Sequence, residues 1–298
     1  MTSPALPAAA ASCAAALILT PIVRNLSRNA GWLDRPDGTR KRHAAAVPPS
    51  GGIAVLLAIL VGALWMGLDQ RGMTPGLLAA TLIVFAGGLL DDLANLPPWK
   101  KLLPQIAAAV LAVKAGLYIG PFPGSGPATV LWLLLCTNAF NLLDGMDGLA
   151  AVAASLAAGA MLWMSSGAEG ILAPLIGALC GFLWFNRPRA SVFLGDSGSL
   201  TIGFLMACAA LRTGDRRVVG MAGPLIALAL PLADTAWAVA RRLWRRKRLF
   251  QGDMEHFHHR VLAWVGTPGR ALLVLGGFSL GAALLGAAVQ TLSPGSNP

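Results

Sequence analysis

Charged residues are scarce in this sequence of 298 residues: they make up 12% of the chain, and only 13 Asp and Glu stand against 23 Lys and Arg. Hydrophobic residues make up 56%, and the mean hydropathy of +0.66 lies far above that of a soluble domain. A net charge of +10 would suggest nucleic-acid binding in a soluble protein, but the Lys and Arg content of cytoplasmic loops explains it more simply. The composition predicts a membrane protein that binds no nucleic acid.

Cysteine is also rare, and its positions exclude two kinds of site. All four cysteines lie inside apolar stretches, and none forms a CxxC pair or neighbours a histidine: Cys13, Cys136, Cys180 and Cys208. We therefore predict neither a disulfide nor a thiolate metal site. The sequence also lacks a long Ser/Gly/Pro linker and any repeat of about 20 to 50 residues, which predicts one membrane domain over residues 1–298.

Apolar stretches fill most of the chain. A helix needs about 20 mostly apolar residues to cross a bilayer. Strands of a transmembrane barrel alternate apolar and polar residues, whereas these stretches are apolar at odd and even positions alike, which excludes a barrel. The first stretch remains a span, because its basic residues Arg24 and Arg28 follow it instead of preceding it as in a secretory signal. The predicted spans cover 5–23, 51–68, 74–90, 102–119, 128–143, 148–165, 170–186, 198–212, 218–240 and 268–292.

The distribution of basic residues orients these spans. Of the 23 Lys and Arg, eighteen fall in the odd-numbered loops. One even-numbered loop departs from this pattern, because it holds the basic cluster Arg212, Arg216 and Arg217. Because cytoplasmic loops are rich in Lys and Arg, the odd loops are predicted to be cytoplasmic. The predicted fold class is an all-α polytopic membrane protein of about ten transmembrane helices, with both termini on the outer side and a cleft on the cytoplasmic side.

Five carboxylates lie at the cytoplasmic ends of the predicted spans: Asp91, Asp92, Asp144, Asp147 and Asp196. Charges at membrane depth are costly and usually face a cavity or a partner, so this pattern predicts one polar site. Carboxylate and amide oxygens next to a phosphate substrate are what Mg²⁺ prefers. The plainer alternative is a set of solvated helix ends, although acids at a helix C-terminus oppose the macrodipole.

Two further segments carry polar side chains at span ends. Asn138, Asn141 and Asp144 are spaced by three, which places them along one helical stripe, and Gly145 and Gly148 are expected to end that helix. The alternative is a capped helix end with Asp-Gly turns, which would leave both asparagines without partners in an apolar span. In the segment 195–199, Asp196 and the two serines could simply cap the following helix.

Three of the four histidines lie in the last large loop. His256, His258 and His259 fall within four residues, and His43 follows Arg40-Lys41-Arg42 in another cytoplasmic loop. This cluster could bind zinc, but without cysteine a phosphate-binding role is favoured. The basic run 241–248 adjoins a span, so we expect it to contact anionic lipid headgroups.

The order of these motifs resembles a known family. Leu89-Leu90-Asp91-Asp92, Asn138 to Gly148, Phe193 to Ser199 and His256-Phe257-His258-His259 follow one another as in the MraY/WecA polyprenyl-phosphate N-acetylhexosamine-1-phosphate transferases. The resemblance covers nearly the whole chain and extends to Asp34-Arg35-Pro36, Phe185-Asn186 and Asp234. Pro104 and Arg189 depart from the usual pattern without falling on an implied ligand.

The resemblance implies a reaction and a location. A phosphate oxygen of a polyprenyl phosphate, such as undecaprenyl phosphate, would attack the β-phosphorus of a UDP-sugar, release UMP and begin a cell-envelope polysaccharide. The segment 255–260 and Pro231-Leu232-Ala233-Asp234-Thr235 look more like the branch that uses UDP-N-acetylglucosamine. The family also implies a multi-pass protein of the bacterial inner membrane with its site facing the cytoplasm, in contact with membrane lipid. The relatives suggest a homodimer.

Residue roles are implied in the same way. Asp196 and Asn141, with Asp144 nearby, would hold Mg²⁺, for which Mn²⁺ is an alternative, and Lys101 would hold the phosphates. The acidic pair Asp91 and Asp92 would handle or activate the lipid phosphate, with a covalent role left open. The catalytic set is therefore Asp91, Asp92, Asp196 and Lys101. The implied substrate-binding residues are Lys41, His43, Asn138, Asp144, Asp147, His256, His258, His259 and Arg260.

Other functions remain open at this point. The same reaction could use UDP-MurNAc-pentapeptide or another UDP-aminosugar as donor. A transporter or flippase would use intramembrane carboxylates as an ion relay, but it predicts mid-span charges and an inverted repeat, neither of which is present. A purely structural membrane protein would not require acids and histidines on one side.

Overall fold

The computed structural model describes residues 4–35, 46–68, 73–164, 167–214, 219–245 and 256–292. In these ranges the protein is helical, apart from one antiparallel bridge between Asp34 and Val47. The helices are α1 (Ala5–Asn29), α2 (Gly51–Met66), α3 (Pro75–Ala94), α4 (Pro98–Lys114), α5 (Ser125–Leu143), α6 (Leu149–Met164), α7 (Glu169–Asn186), α8 (Gly195–Thr213), α9 (Ala222–Ala227), α10 (Ala229–Trp244), α11 (Phe257–Val265) and α12 (Pro268–Leu292).

Every predicted apolar stretch coincides with helix, but the ninth is not one continuous helix. Over 218–240 the described chain forms a 3₁₀ turn, Val219–Met221, then α9, and a break at Leu228 before α10 begins. Pro231 explains the break: it has no N–H to donate to the carbonyl of Ala227, and it is tolerated in the first turn of a new helix. The sequence also did not predict α11, which lies within the segment that was predicted to be the last large loop.

Among the residues that the structure describes, five helices are long and apolar enough to cross a membrane: α1, α3, α5, α7 and α12. Two others, α2 and α6, are apolar but shorter. The prediction of an all-helical membrane protein is therefore confirmed.

Helix α8 is buried on nearly every side and forms the centre of the bundle. It packs against α2, α3 and α5. Small residues allow these close approaches: a Cβ on Gly203 would lie 2.8 Å from the carbonyl oxygen of Cys136. A helix that is apolar all round belongs in the interior, so α8 provides a fixed element on which the site is built.

Backbone pairing holds the N-terminal ends of α2 and α8 together. The N–H groups of Gly51 and Gly52 donate to the carbonyls of Phe193 (2.9 Å) and Leu194 (2.8 Å). The N–H of Phe193 in turn donates to the carbonyl of Pro48 at 2.9 Å.

All four cysteine thiols are free.

Candidate active site

Three charged side chains from three helices meet at one end of the bundle. The ammonium of Lys101, in the first turns of α4, lies 2.9 Å from Oδ2 of Asp196 at the start of α8. The same ammonium forms an ion pair with Asp91 near the end of α3. Oδ1 of Asp91 also accepts a 2.6 Å hydrogen bond from the N–H of Leu96. Lys101 thus bridges two carboxylates that are 105 positions apart in the sequence.

Asp92 has a different task from its neighbour. Its carboxylate accepts hydrogen bonds from the backbone N–H groups of Asp196 (2.7 Å) and Ser197 (2.9 Å). These N–H groups belong to the first turn of α8 and have no partner inside that helix. Asp92 therefore caps α8 from a distant part of the chain, whereas the sequence suggested that Asp196 and the serines cap it locally.

Glycines at two positions allow this contact. A Cβ on Gly88, one turn before the acidic pair, would lie 2.6 Å from Cα of Ser197. Gly195 has a φ of +73°, and a Cβ there would lie 2.8 Å from the carboxylate of Asp92. Both the left-handed backbone and the lack of space require glycine at 195. On the other face of α3, Gly87 faces the ring of Pro104, so the unusual proline of α4 fits against a glycine.

The two asparagines of α5 have polar partners, as amides inside an apolar span need. Nδ2 of Asn141 donates to Oγ of Ser199 on α8 at 3.0 Å. Nδ2 of Asn138 donates to Oε1 of the buried Gln105 on α4 at 2.7 Å. The polar stripe of α5 therefore lines one side of the Lys101 cluster, which consists of Lys101, Asp91 and Asp196.

The loop between α5 and α6 carries Asp144 and Asp147. Burial, together with the charges of Asp196, Asp92 and Asp147, raises the pKa of Asp144 well above its usual range. Oδ2 of Asp147 accepts hydrogen bonds from the N–H groups of Arg189 (3.1 Å) and Ala190 (3.0 Å). As predicted, α5 ends before Gly145, and Gly148 adopts a φ of +76°.

Asp234 organises the histidines. Its carboxylate is 2% exposed, and Oδ1 accepts a 2.7 Å hydrogen bond from the N–H of Phe257 at the start of α11. Its Oδ2 lies 3.3 Å from Nδ1 of His256 and 3.4 Å from Nδ1 of His258. The two imidazoles stack with ring centroids 5.6 Å apart.

Not every predicted residue joins the Lys101 cluster. His259 packs against His258, with ring centroids 4.3 Å apart, and Arg260 is exposed on α11. Lys41 and His43 lie outside the described residues.

Two further residues stabilise the site without having been assigned a role. Asp234 contacts the histidines, and Asn186 accepts a 3.1 Å hydrogen bond from the N–H of Gly148 and donates to the carbonyl of Val192 at 3.0 Å. The sequence signal was present for Asp234, because a single carboxylate in an apolar stretch usually has a partner. For Asn186 the sequence offered only its place in the Phe185-Asn186 pair of the family resemblance, with no implied role.

The donor atoms around Lys101 suit a hard cation. The carboxylates of Asp91 and Asp196 pair with the ammonium, and the charges of Asp92 and Asp196 act on the nearby Asp144. Asn141, which is bonded to Ser199 one turn after Asp196, adds an amide. No three His, Cys, Asp or Glu side chains in the described ranges form a metal-binding group by themselves. Mg²⁺ does not require one, since it commonly binds one or two carboxylates and completes its coordination with water and substrate phosphates. The oxygen-rich, negatively charged surroundings fit such an ion.

Comparison with known proteins gives a consistent result. The profile described as "Glycosyl transferase family 4" matches residues 74–214, which include Asp91, Lys101 and Asp196. A protein of Bacillus subtilis named "Probable undecaprenyl-phosphate N-acetylglucosaminyl 1-phosphate transferase" is 32% identical, over 87% of this chain and 77% of its own length. The "Undecaprenyl-phosphate alpha-N-acetylglucosaminyl 1-phosphate transferase" of Thermotoga maritima is 34% identical, over 90% of this chain and 85% of its own length.

A relative with another donor in its name is similar at nearly the same level. The "Phospho-N-acetylmuramoyl-pentapeptide-transferase" of Shouchella clausii is 30% identical, over 85% of this chain and 88% of its own length. The resemblance that the motifs suggested is thus confirmed, and this protein belongs to glycosyl transferase family 4.

Proposed function

We propose that this protein transfers N-acetylglucosamine-1-phosphate from UDP-N-acetylglucosamine to a polyprenyl phosphate such as undecaprenyl phosphate. One observation carries the proposal: Asp91, Lys101 and Asp196 converge from three helix ends beside the polar stripe of α5. The names of the relatives in Bacillus subtilis and Thermotoga maritima support the donor and the acceptor.

The reaction is an exchange at one phosphorus. An oxygen of the lipid phosphate forms a new bond to the β-phosphorus of the donor. The bond from that phosphorus to the bridging oxygen breaks, and UMP leaves with its electron pair. The bond between the sugar and its phosphate stays intact, so the product is a lipid-linked diphospho-sugar. Catalysis of such a transfer consists mainly of positioning and charge stabilisation.

Lys101 is the cation best placed to do this. Its ammonium lies between Asp91 and Asp196, and its side chain is 31% exposed, so it can contact a phosphate that enters the cluster. In the absence of substrate, the two carboxylates hold the ammonium in position. Bound phosphates would share its charge at the point where negative charge accumulates.

A divalent cation, Mg²⁺ or alternatively Mn²⁺, is part of the proposal. Asp196, Asn141 and Asp144 would hold it, and it would neutralise the diphosphate of the donor. Burial and the charges of Asp196, Asp92 and Asp147 raise the pKa of Asp144, and a bound cation would offset the repulsion among these carboxylates.

We assign the lipid phosphate to the Asp91 side of the cluster and the nucleotide-sugar to the other side. Asp91 is 5% exposed and fixed by Lys101 and the N–H of Leu96, so it can orient the ammonium or accept a proton. The donor side consists of the loop with Asp144 and Asp147 and the segment 256–260. Asp92 supports the reaction by fixing α8, since both of its oxygens accept backbone N–H groups.

The proposed setting is the inner membrane of a bacterium, with about ten spans and the site on the cytoplasmic side. Basic residues at the site end of the bundle support this orientation: the guanidinium of Arg24 lies 3.3 Å from Oγ of Ser191, and that of Arg187 lies 4.3 Å from the ring centroid of Trp184. Trp and Arg together at a span end are typical of a membrane interface. A homodimer is the expected assembly.

Labelled donor tests the proposed reaction. UDP-N-acetylglucosamine with ³²P at the β-phosphate is given to the purified protein with undecaprenyl phosphate and Mg²⁺. We expect the label to move into the lipid fraction and to disappear when the acceptor is omitted. Label that stays in released UDP would mean sugar transfer without phosphate and would contradict the proposal.

A second donor is supported by one observation, the similarity to the transferase of Shouchella clausii. UDP-MurNAc-pentapeptide would undergo the same chemistry, since the proposed role of the cluster is to hold the phosphates that both donors share. Competition between the two unlabelled donors against labelled UDP-N-acetylglucosamine distinguishes them, because the true donor inhibits at the lower concentration.

A further inference from the structure

We propose that His258 is a positioning residue. It lies between Asp234 and the loop 144–147 and keeps that loop in place, instead of contacting the sugar nucleotide. This inference rests on the proposed function for its effect on turnover. The contacts that carry it are a chain of three residues from different parts of the sequence: Asp234, His258 and Gly145.

The first contact fixes the imidazole. Asp234 accepts a 2.7 Å hydrogen bond from the N–H of Phe257, and its other oxygen lies 3.4 Å from Nδ1 of His258, so one carboxylate contacts both the first turn of α11 and the ring. That carboxylate is 2% exposed. Because α10 carries Asp234 inside the bundle, the position of the imidazole is determined by a helix rather than by the preceding loop.

The second contact is steric. A Cβ built on Gly145 would lie 2.5 Å from Nε2 of His258, so the imidazole edge fills the space where a side chain would stand. Nε2 has no hydrogen-bond partner among the residues that the structure describes. Gly145 directly follows Asp144, and Asp147 comes two residues later. The ring therefore limits how far this loop can move toward α10.

Burial separates His258 from its neighbours in the motif. His258 is 1% exposed, whereas His259 is half-buried and Arg260 is exposed. A side chain without accessible surface cannot contact a donor phosphate unless α11 moves. His259 and Arg260 are thus suited to contact the donor, whereas the buried His258 supports the loop 144–147 on its inner side.

A double-variant cycle tests the steric contact. Gly145→Ala alone is expected to raise the KM for the donor by on the order of 10-fold to 100-fold, because a displaced loop misplaces Asp144. His258→Ala alone is expected to raise it by a similar factor with a smaller change in the KM for the lipid. The combined variant is expected to be no worse than His258→Ala, since the truncated ring leaves room for the new methyl group.

The same cycle is followed by thermal unfolding in detergent, which needs no turnover. The proposal predicts that the falls in Tm are likewise not additive. If the wild type turns over no donor but the Tm cycle is non-additive, the proposed function fails and this inference stands. Additive effects in both donor KM and Tm would overturn the inference while leaving the proposed function untouched.

Variants at Asp234 test the other end of this series of contacts, which runs from Asp234 through His258 to Gly145. Asp234→Asn keeps an acceptor oxygen for the N–H of Phe257 and is expected to hold donor KM within about threefold of the wild type. Asp234→Leu removes the acceptor and is expected to match His258→Ala in donor KM. Equal donor KM values for the wild type and Asp234→Leu would overturn the positioning role.

Discussion

The carboxylate of Asp92 accepts a 2.7 Å hydrogen bond from the backbone N–H of Asp196. The end of α3 therefore caps the beginning of α8, across more than a hundred residues of sequence. This contact places the side chain of Asp196 next to Lys101, which already pairs with Asp91 on the preceding helix end. The two members of the acidic pair thus have different roles: Asp91 binds Lys101, and Asp92 orients α8, the helix that carries Asp196.

Capping by Asp92 predicts a difference between two substitutions. Asp92→Ala removes both acceptors and is expected to lower the free energy of unfolding by about 1 to 2 kcal/mol. Asp92→Asn keeps one acceptor oxygen, so it is expected to lose less stability and to retain more turnover than the alanine variant. Thermal unfolding and UMP release measure the two effects. If Asp92→Asn is as stable as the wild type yet as inactive as Asp92→Ala, Asp92 acts in the chemistry itself.

Lys101 is expected to be essential for turnover. Lys101→Met keeps the length of the side chain but removes the charge, and a loss in kcat on the order of 10² to 10³-fold is expected from the missing phosphate contact. Lys100→Met is the matched control, because Lys100 is exposed and lies over the ring of Trp99, 5.5 Å from its centroid. A kcat for Lys101→Met close to that of Lys100→Met would remove Lys101 from the mechanism.

Neutralising Asp196 or Asp91 is expected to abolish turnover while the protein stays folded. Each substitution by Asn keeps the size of the side chain but removes a charge that holds Lys101. Glu169→Gln serves as control, because Glu169 begins α7 about 25 Å from the end that reaches the site. UMP release and elution as a single species in detergent are measured together. Full activity in either Asn variant would exclude that residue from the reaction.

The close approach of α3 and α8 makes Gly88 sensitive to the smallest side chain. A Cβ at this position would lie 2.6 Å from Cα of Ser197 and 2.7 Å from the carbonyl oxygen of Asp196, both of them backbone atoms. Gly88→Ala is therefore expected to lower Tm and turnover together.

Gly159→Ala on α6 is the control, because in the described part of the chain no atom beyond its neighbours and its own helix backbone lies within 4 Å of a Cβ there. It is expected to leave both quantities unchanged or to raise Tm, since alanine restricts the unfolded chain. A Gly88→Ala variant that behaves like Gly159→Ala would show that the two helices have room to separate.

Hydropathy was enough to predict most helices, because a bilayer sets the length of an apolar segment. It missed the break at Leu228, since Pro224 and Pro231 do not lower hydropathy enough to divide the ninth stretch. It also missed α11, a short amphipathic helix whose mixed composition carries no long apolar run. The spacing of Asn138, Asn141 and Asp144 correctly predicted one polar stripe, because helical periodicity fixes which side chains share a face.

The sequence could not supply the contacts between distant segments. Nothing in the string around Asp92 indicates that its oxygens cap α8, and nothing around Asp234 indicates that it faces His256 and His258. Such contacts depend on how the helices pack, and periodicity does not determine packing partners. The role of each carboxylate therefore became apparent only when the helix ends were seen together.

Release of UMP tests the central claim most directly. Purified protein is given undecaprenyl phosphate and UDP-N-acetylglucosamine with Mg²⁺, with a metal-chelated sample, an Asp196→Asn sample and a sample with UDP-MurNAc-pentapeptide in parallel. We predict UMP from the first donor only, and only with both metal and Asp196 present. UMP that persists in the chelated or Asp196→Asn sample, or no UMP with either donor, would contradict the account.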